Sequence, residues 1–241
     1  MDHELRKAGT SRASPLIVGA GPAGIRAAKA LVEAGLRPVV VDEGRRCGGQ
    51  IYRQPLVADG RDARQRYGSE AAKAMRLHRD FEGVIARIDY RPQSLVWNLR
   101  DGVADIMRDG RNDRVAHDGL ILATGATDRV LPIPGWTLPG VFTLGGAQIS
   151  LKAQGCAIGT HVVFVGSGPL LYLVAWQYLK AGISVAAVLD AAPLSAKRNL
   201  WRGLPLAPDI VLRGVRMATE LKLSGTALYF GVTHVRIEGS A

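Results

Sequence analysis

A glycine-rich turn set between two apolar strands constrains this chain more than any other feature: Leu16-Ile-Val-Gly19-Ala-Gly21-Pro-Ala-Gly24, a run of helix formers, then Pro38-Val-Val-Val41-Asp42-Glu43. Gly19 lets the chain turn sharply out of the first strand, Gly21 lets the backbone approach a pyrophosphate with no Cβ in the way, and Gly24 lets the following helix pack closely on the sheet. Pro22 and Ala23 open that helix, whose free N–H groups and dipole favour a phosphate. An acid at the end of the second strand, Asp42, can accept hydrogen bonds from a ribose at roughly 20 residues from the fingerprint. With helix formers from Arg26 to Ala34 and a stop at Gly35, the whole order predicts a dinucleotide-binding βαβ unit rather than a glycine turn without a ligand.

The same order recurs further along. His161-Val-Val-Phe-Val165-Gly166-Ser167-Gly168-Pro169-Leu-Leu171 leads into a helix ending near Ala181-Gly182, then a strand from Ile183 to Asp190. This internal repeat predicts two nucleotide folds in tandem, the second imperfect because Leu171 replaces the third glycine. Between the repeats come a paired-glycine loop, Gly48-Gly49-Gln50, a polar segment from Asp59 to Tyr67, and a helical stretch from Glu70 to Ile88. Strand-like pieces at 94–99 and 103–107, joined by Arg100-Asp101-Gly102, predict a small β-meander. A fully apolar strand then ends in Ala123-Thr124-Gly125-Ala126, where small residues let a backbone press against a flat ring or a pyrophosphate. Prolines at 132, 134 and 139 exclude regular helix or central strand, so 129–141 is a connector, followed by helix over 146–155 and, near the chain's end, a strand over 226–231.

The predicted fold class is α/β, a Rossmann-like three-layer dinucleotide-binding fold with a small β-meander and a partial second dinucleotide-binding domain. Residues 1–14 read as a polar leader, 15–155 as the first domain and 156–241 as the second. The leader lacks the apolar core of a signal peptide, and no apolar run reaches the length of a membrane span, which predicts a soluble cytoplasmic protein without a membrane span. The 31 basic residues exceed the 21 acidic ones, but they are scattered and carry no aromatic interleaving or helix-turn-helix pattern. A basic solvated surface, with no nucleic-acid partner, is the expectation. Cys47 and Cys156 stand apart, at neither metal-ligand nor redox-pair spacing, so no metal site is predicted.

The strings LIVGAGPAGIRAAKAL, VVVDEGRRCGGQIYRQP, DGLILATGATDRVLPIPGWTLPGV and VVFVGSGPLLYLVA resemble the flavin-dependent oxidoreductases with two dinucleotide-binding domains, the group that includes the pyridine nucleotide-disulfide reductases. Within it the sequence is most similar to the α-type subunits of opine oxidase, of hydrogen cyanide synthase and of the hydroxyproline or proline dehydrogenase heteromers. The resemblance implies FAD in the first unit: Gly19, Gly21, Pro22, Ala23 and Gly24 at its pyrophosphate, Asp42 with Glu43 as the alternate at its ribose, Gly49 and Gln50 along the ribityl and isoalloxazine side, and Thr124 and Gly125 near the pyrophosphate. It makes Gly166, Gly168 and Pro169 a second site, NAD(P)-type or vestigial. It also implies a longer whole, of which this chain is the amino-terminal part.

No side chain presents itself as an obligatory acid or base; His78, His117 and His161 read as structural or solvated, and the catalytic residues stay unassigned. The resemblance places amino-acid or imino-acid oxidation in a separate flavoprotein, β-type, subunit, with this chain passing electrons from an amino acid, imino acid or opine substrate. Two alternatives stand beside it: a truncated, non-catalytic nucleotide-binding or assembly module, and an NAD(P)H-dependent reductase of the same superfamily.

Overall fold

A computed structural model describes residues 14–57, 60–197, 205 and 207–239. The chain divides into two compact units, Met1–Ala126 and Thr127–Ala241.

The first unit is built on a parallel sheet in the order β3-β2-β1-β7, with β1 at Leu16–Val18, β2 at Val39–Val41, β3 at Asp89–Arg91 and β7 at Leu120–Leu122. Side chains alternate across a strand, and here the alternation sorts two cores. Ile17 and Val40 point to one face, where they meet Ile25, Ala28 and Val32 of α1 (Pro22–Glu33) and Leu77 and Phe81 of α3 (Ala71–Glu82). Leu16, Val39 and Val41 point to the other face, where Ala104, Ile106 and Val115 of a β-meander cover them. The result is three layers: helices, parallel sheet and meander. An ion pair from Lys29 to Asp80, 2.8 Å, ties α1 to α3 across the helical layer.

The meander has three strands, β4 (Ser94–Arg100), β5 (Val103–Arg108) and β6 (Arg111–Ala116), where the sequence predicted two. β6 reads RNDRVA and buries only Val115, so its one inward side chain gives almost no apolar alternation to read. The helix expected over 70–88 ends at Glu82; Gly83 terminates it and a single 3₁₀ turn, Ile85–Arg87, follows. The polar segment after residue 59 contains a short helix, α2 (Ala63–Tyr67), begun by a capping box in which Asp62 and Gln65 satisfy each other's backbone N–H.

The second unit holds a parallel sheet in the order β10-β9-β8, with β8 at His161–Gly166, β9 at Ser184–Asp190 and β10 at Ala227–Phe230. α5 (Pro169–Lys180) lays Leu171, Val174, Ala175 and Tyr178 on this sheet, and Leu221 of the long helix α7 (Pro208–Leu223) joins the same core; a short α6 (Leu194–Lys197) lies between β9 and α7. α4 (Leu144–Ile149), with a π-helical last turn over Ser150–Gln154, contributes Ala147 and Leu151 to that core, and the Tyr178 hydroxyl donates to the Ala147 carbonyl at 2.8 Å. This packing puts residues 144–154 with the second sheet, so the compact units part at 126/127 rather than at the 155/156 boundary expected from sequence. Residues 1–13 of the polar leader lie outside the described residues.

Candidate functional site

In the first unit β1, β2 and β7 run parallel, so the segments that follow them emerge at one end of the sheet. That carboxyl end is where open α/β sheets bind ligands. Gly19 and Gly21–Gly24 follow β1, Asp42 and Glu43 follow β2, and Thr124 and Gly125 follow β7.

The fingerprint glycines divide by what a Cβ would meet. Gly19 has φ +107°, and a Cβ there would overlap the Ala123 carbonyl; one on Gly24 would overlap the carbonyl of Gly19. Both are glycines because the protein's own backbone occupies the space. Gly21 differs. Its φ is −78°, open to any residue, and the nearest atom to a Cβ there is the Gly49 Cα at 3.7 Å, an ordinary contact. Gly21 is also the N-cap of α1, makes no side-chain cap, and is followed by no acid in the first turn. The start of α1 therefore carries donors without a side-chain cap beside a position with no steric need of its own for glycine.

Asp42 and Glu43 take different roles. The Asp42 carboxylate accepts from the backbone N–H of Ala20 through one oxygen and of Gly44, 2.7 Å, through the other. It braces the glycine turn against the end of β2. Glu43 next to it is exposed. Of the two acids named from sequence, Glu43 has the solvent-facing carboxylate.

The paired-glycine loop lies directly on the turn. Gly48 N–H donates to the Ala20 carbonyl at 2.8 Å, and a Cβ on Gly49 would stand 2.9 Å from the Gly21 Cα. Gln50 donates from Nε2 to the Ala126 carbonyl at 3.1 Å, linking this loop to the Thr124-Gly125-Ala126 segment. His78, read as structural or solvated from sequence, is buried behind the loop; its Nε2 lies 3.0 Å from the Tyr52 carbonyl, and a Cβ on Gly48 would come within 3.0 Å of the same nitrogen. Burial lowers its pKa, keeping the ring neutral. Tyr67 stacks edge-on with both Tyr52 and His78. The prop formed by His78, Tyr52 and Tyr67 escaped the sequence reading because its members are scattered through loop and helix with no motif spacing.

In the second unit Gly166 ends β8, and Gly168 and Pro169 open α5. The turn is not a copy of the first: Gly168 has φ +87°, where Gly21 has φ −78°. Leu171 is buried in the core at the position of the third glycine.

Residues 14–200 match the family of pyridine nucleotide-disulphide oxidoreductases. The chain belongs to that family. Membership of this family supports FAD as the cofactor, with NAD(P) the candidate for a second site. An opine oxidase subunit of Agrobacterium tumefaciens (strain Ach5) is 39% identical over 236 residues, 93% of this chain and 46% of that protein. The HcnB subunit of hydrogen cyanide synthase from Pseudomonas protegens is 40% identical, over 94% of this chain and 48% of that protein. The chain thus spans just under half the length of these relatives. Among solved structures, the flavoprotein disulfide reductase RclA of Escherichia coli superposes with a TM-score of 0.63 at 21% identity, covering 96% of this chain and 52% of RclA, which establishes the shared fold.

The residues of the first unit fit FAD: the uncapped start of α1 and the bare Gly21 suit the pyrophosphate, and Glu43 suits a ribose. The family's disulphide chemistry has no visible counterpart among the described residues. Cys47 is buried in the core and Cys156 is exposed, and both are free thiols. Burial, reinforced by Glu82 and Asp42, pushes the Cys47 thiol up to about 11, which disfavours the nucleophilic thiolate. Among the described residues no cluster of His, Cys, Asp and Glu is placed to hold a metal ion, and no helix is long and apolar enough to cross a membrane.

Proposed function

We propose that this chain is the FAD-holding part of an α-type subunit that passes electrons in the oxidation of an amino acid, imino acid or opine. The observation that carries the reading is Gly21: a glycine that the protein's own packing and backbone do not require, at the uncapped N-terminus of α1, where a pyrophosphate would need to approach the backbone. The substrate class rests on similarity to subunits of opine oxidase and hydrogen cyanide synthase, at 39% and 40% identity.

When bound, the flavin supplies the hydride and electron chemistry. The chain's own residues position it. The N–H groups of Ala23 and Gly24 and the dipole of α1 offset the pyrophosphate charge. Glu43 accepts from the adenosine ribose while Asp42 holds the turn in register. Gln50, anchored on Ala126, and the Thr124-Gly125 backbone border the ribityl side. Substrate oxidation itself is assigned to a partner, a β-type flavoprotein subunit, because the relatives this chain resembles are themselves subunits of an oxidase and a synthase.

The test is flavin content. The purified chain should take up FAD and show a flavin spectrum, alone or with its partner subunit, and Glu43→Gln should weaken uptake while Asp42→Asn chiefly lowers stability. Loss of flavin in the Asp42 variant with none in the Glu43 variant would reverse these roles. A folded chain that stays colourless after reconstitution would sink the reading.

A further inference from the structure

The two βαβ units carry the same brace at the same register position. In the first, Asp42 follows β2 and its Oδ1 accepts from the N–H two residues on, Gly44, at 2.7 Å. In the second, Asp190 ends β9 opposite Gly166 of β8, and its Oδ1 accepts from the N–H two residues on, Ala192, at 2.9 Å. The other oxygen is taken in both units as well: by the Ala20 N–H in the first and by the Tyr172 hydroxyl, 2.7 Å, in the second.

Beyond the brace the two units diverge. Glu43 stands exposed after Asp42, whereas Ala191, Ala192 and Pro193 follow Asp190 and offer no carboxylate for a ribose diol. Asp190 cannot serve instead, because it is 1% exposed beneath the Tyr172 ring that bonds it. The helix side is changed in step. Leu171, also 1% exposed, fills the slot where Gly24 lets α1 close on its turn, and Tyr172, the next residue, is the one that reaches Asp190. Gly168 at φ +87° sets the peptide before α5 in a different orientation from the one before α1, so the phosphate cradle is not repeated either. Three separate requirements of a dinucleotide site, for phosphate, ribose and close helix approach, are thus altered together.

We infer that the second βαβ unit is closed to nicotinamide dinucleotides, NADH and NADPH alike, with the Tyr172–Asp190 hydrogen bond as the closing contact. The unit keeps the fold of a nucleotide domain and its brace, but among the described residues an alanine stands where the first unit has Glu43 and Leu171 where it has Gly24. Where the flavin reading of the first unit holds, the flavin exchanges electrons with something other than a dissolved nicotinamide; the closure itself rests on the second unit alone.

Calorimetric titration with NADH and with NADPH tests it, on the wild-type chain, on the chain saturated with FAD, and on Gly21→Asp, in which the first turn is blocked and whose fold is checked by circular dichroism. The expected result is no saturable binding to the second unit at a Kd of about 1 mM or tighter. Binding to the wild-type chain that FAD displaces, or that Gly21→Asp abolishes, belongs to the first turn and agrees with the inference. Saturable binding of either dinucleotide that survives FAD saturation or persists in Gly21→Asp overturns it. Failure of FAD to bind the wild-type chain contradicts the proposed function, and the titrations of the unloaded chain and of Gly21→Asp still decide the inference.

Discussion

Gly21 and Gly24 stand three positions apart in one motif, yet the structure gives them opposite reasons to be glycine. A Cβ at Gly24 would run into the Gly19 carbonyl, whereas one at Gly21 would make only an ordinary contact with Gly49. Gly24→Ala should therefore cost about 1–3 kcal/mol of stability through overpacking. Gly21→Ala should cost under about 1 kcal/mol, the scale of a weakened N-cap, but lower FAD affinity by more than about tenfold, or ~1.4 kcal/mol. Chemical denaturation with parallel FAD titration separates the two, and equal effects on both readouts would contradict the division. Sequence alone assigned Gly19 to the turn, Gly24 to helix packing and Gly21 to the pyrophosphate; it could not show which backbone atoms Gly19 and Gly24 make room for. The two acids were equally ambiguous, because only the carboxylate's backbone partners distinguish the brace from the reader. The thiols are a simpler case: iodoacetamide at neutral pH should label Cys156 and spare Cys47. The folded-state pKa of Cys47 is raised from 9.0 to about 11, so its contribution to stability is full below pH 9 and is lost as pH climbs through 11. His78 works with the opposite sign of pH. Its folded pKa is lowered from 6.5, so the support it gives the Gly48-Gly49 loop is present above that value and falls away on acidification, and flavin retention should weaken in the same direction.

At the scale of elements, the strongly periodic parts were legible and the polar ones were not. β1, α1, β2, β8, α5 and β9 fall where apolar runs and glycines put them, since each buries a face against a neighbour. β6 and α2 carry their stability in strand pairing and a capping box, which leave little trace in hydrophobic pattern. The start of α4 shows the same limit. Thr143 caps the Gly146 N–H, and Asp128, well before it in sequence, accepts from the Gly145 N–H. Asp128→Ala should cost about 0.5–2 kcal/mol, the usual range for a lost cap, measured as a fall in the unfolding midpoint of the second unit. β7 raises a separate matter. It forms one edge of the first sheet, with Leu120 39% and Leu122 62% exposed, in a parallel sheet of the kind normally covered on both faces. Leu122→Lys should reduce self-association of this chain without lowering its unfolding temperature; a large drop in that temperature would mean the leucine is already packed.

On the scale of the whole molecule, two βαβ units of common plan have taken different states. The first keeps a free acid, an uncapped helix start and a bare glycine at one end of its sheet. The second keeps the brace and closes it with Tyr172. The repeat was visible in sequence as two glycine turns and two acid-ended strands, and Leu171 marked the second as altered. Its closure was not visible, because it depends on a hydroxyl and a carboxylate 18 residues apart meeting in space. Membership of the pyridine nucleotide-disulphide oxidoreductase family holds for both units through residue 200, so family resemblance alone does not separate the open unit from the closed one. The central claim is that the first turn holds FAD, and titrating the purified chain with FAD, alongside Gly21→Asp, tests it most directly. Stoichiometric uptake with a flavin spectrum by the wild-type chain, abolished in a Gly21→Asp variant of unchanged circular dichroism, is the predicted result; uptake unaffected by the substitution, or none by the folded wild-type chain, would contradict it.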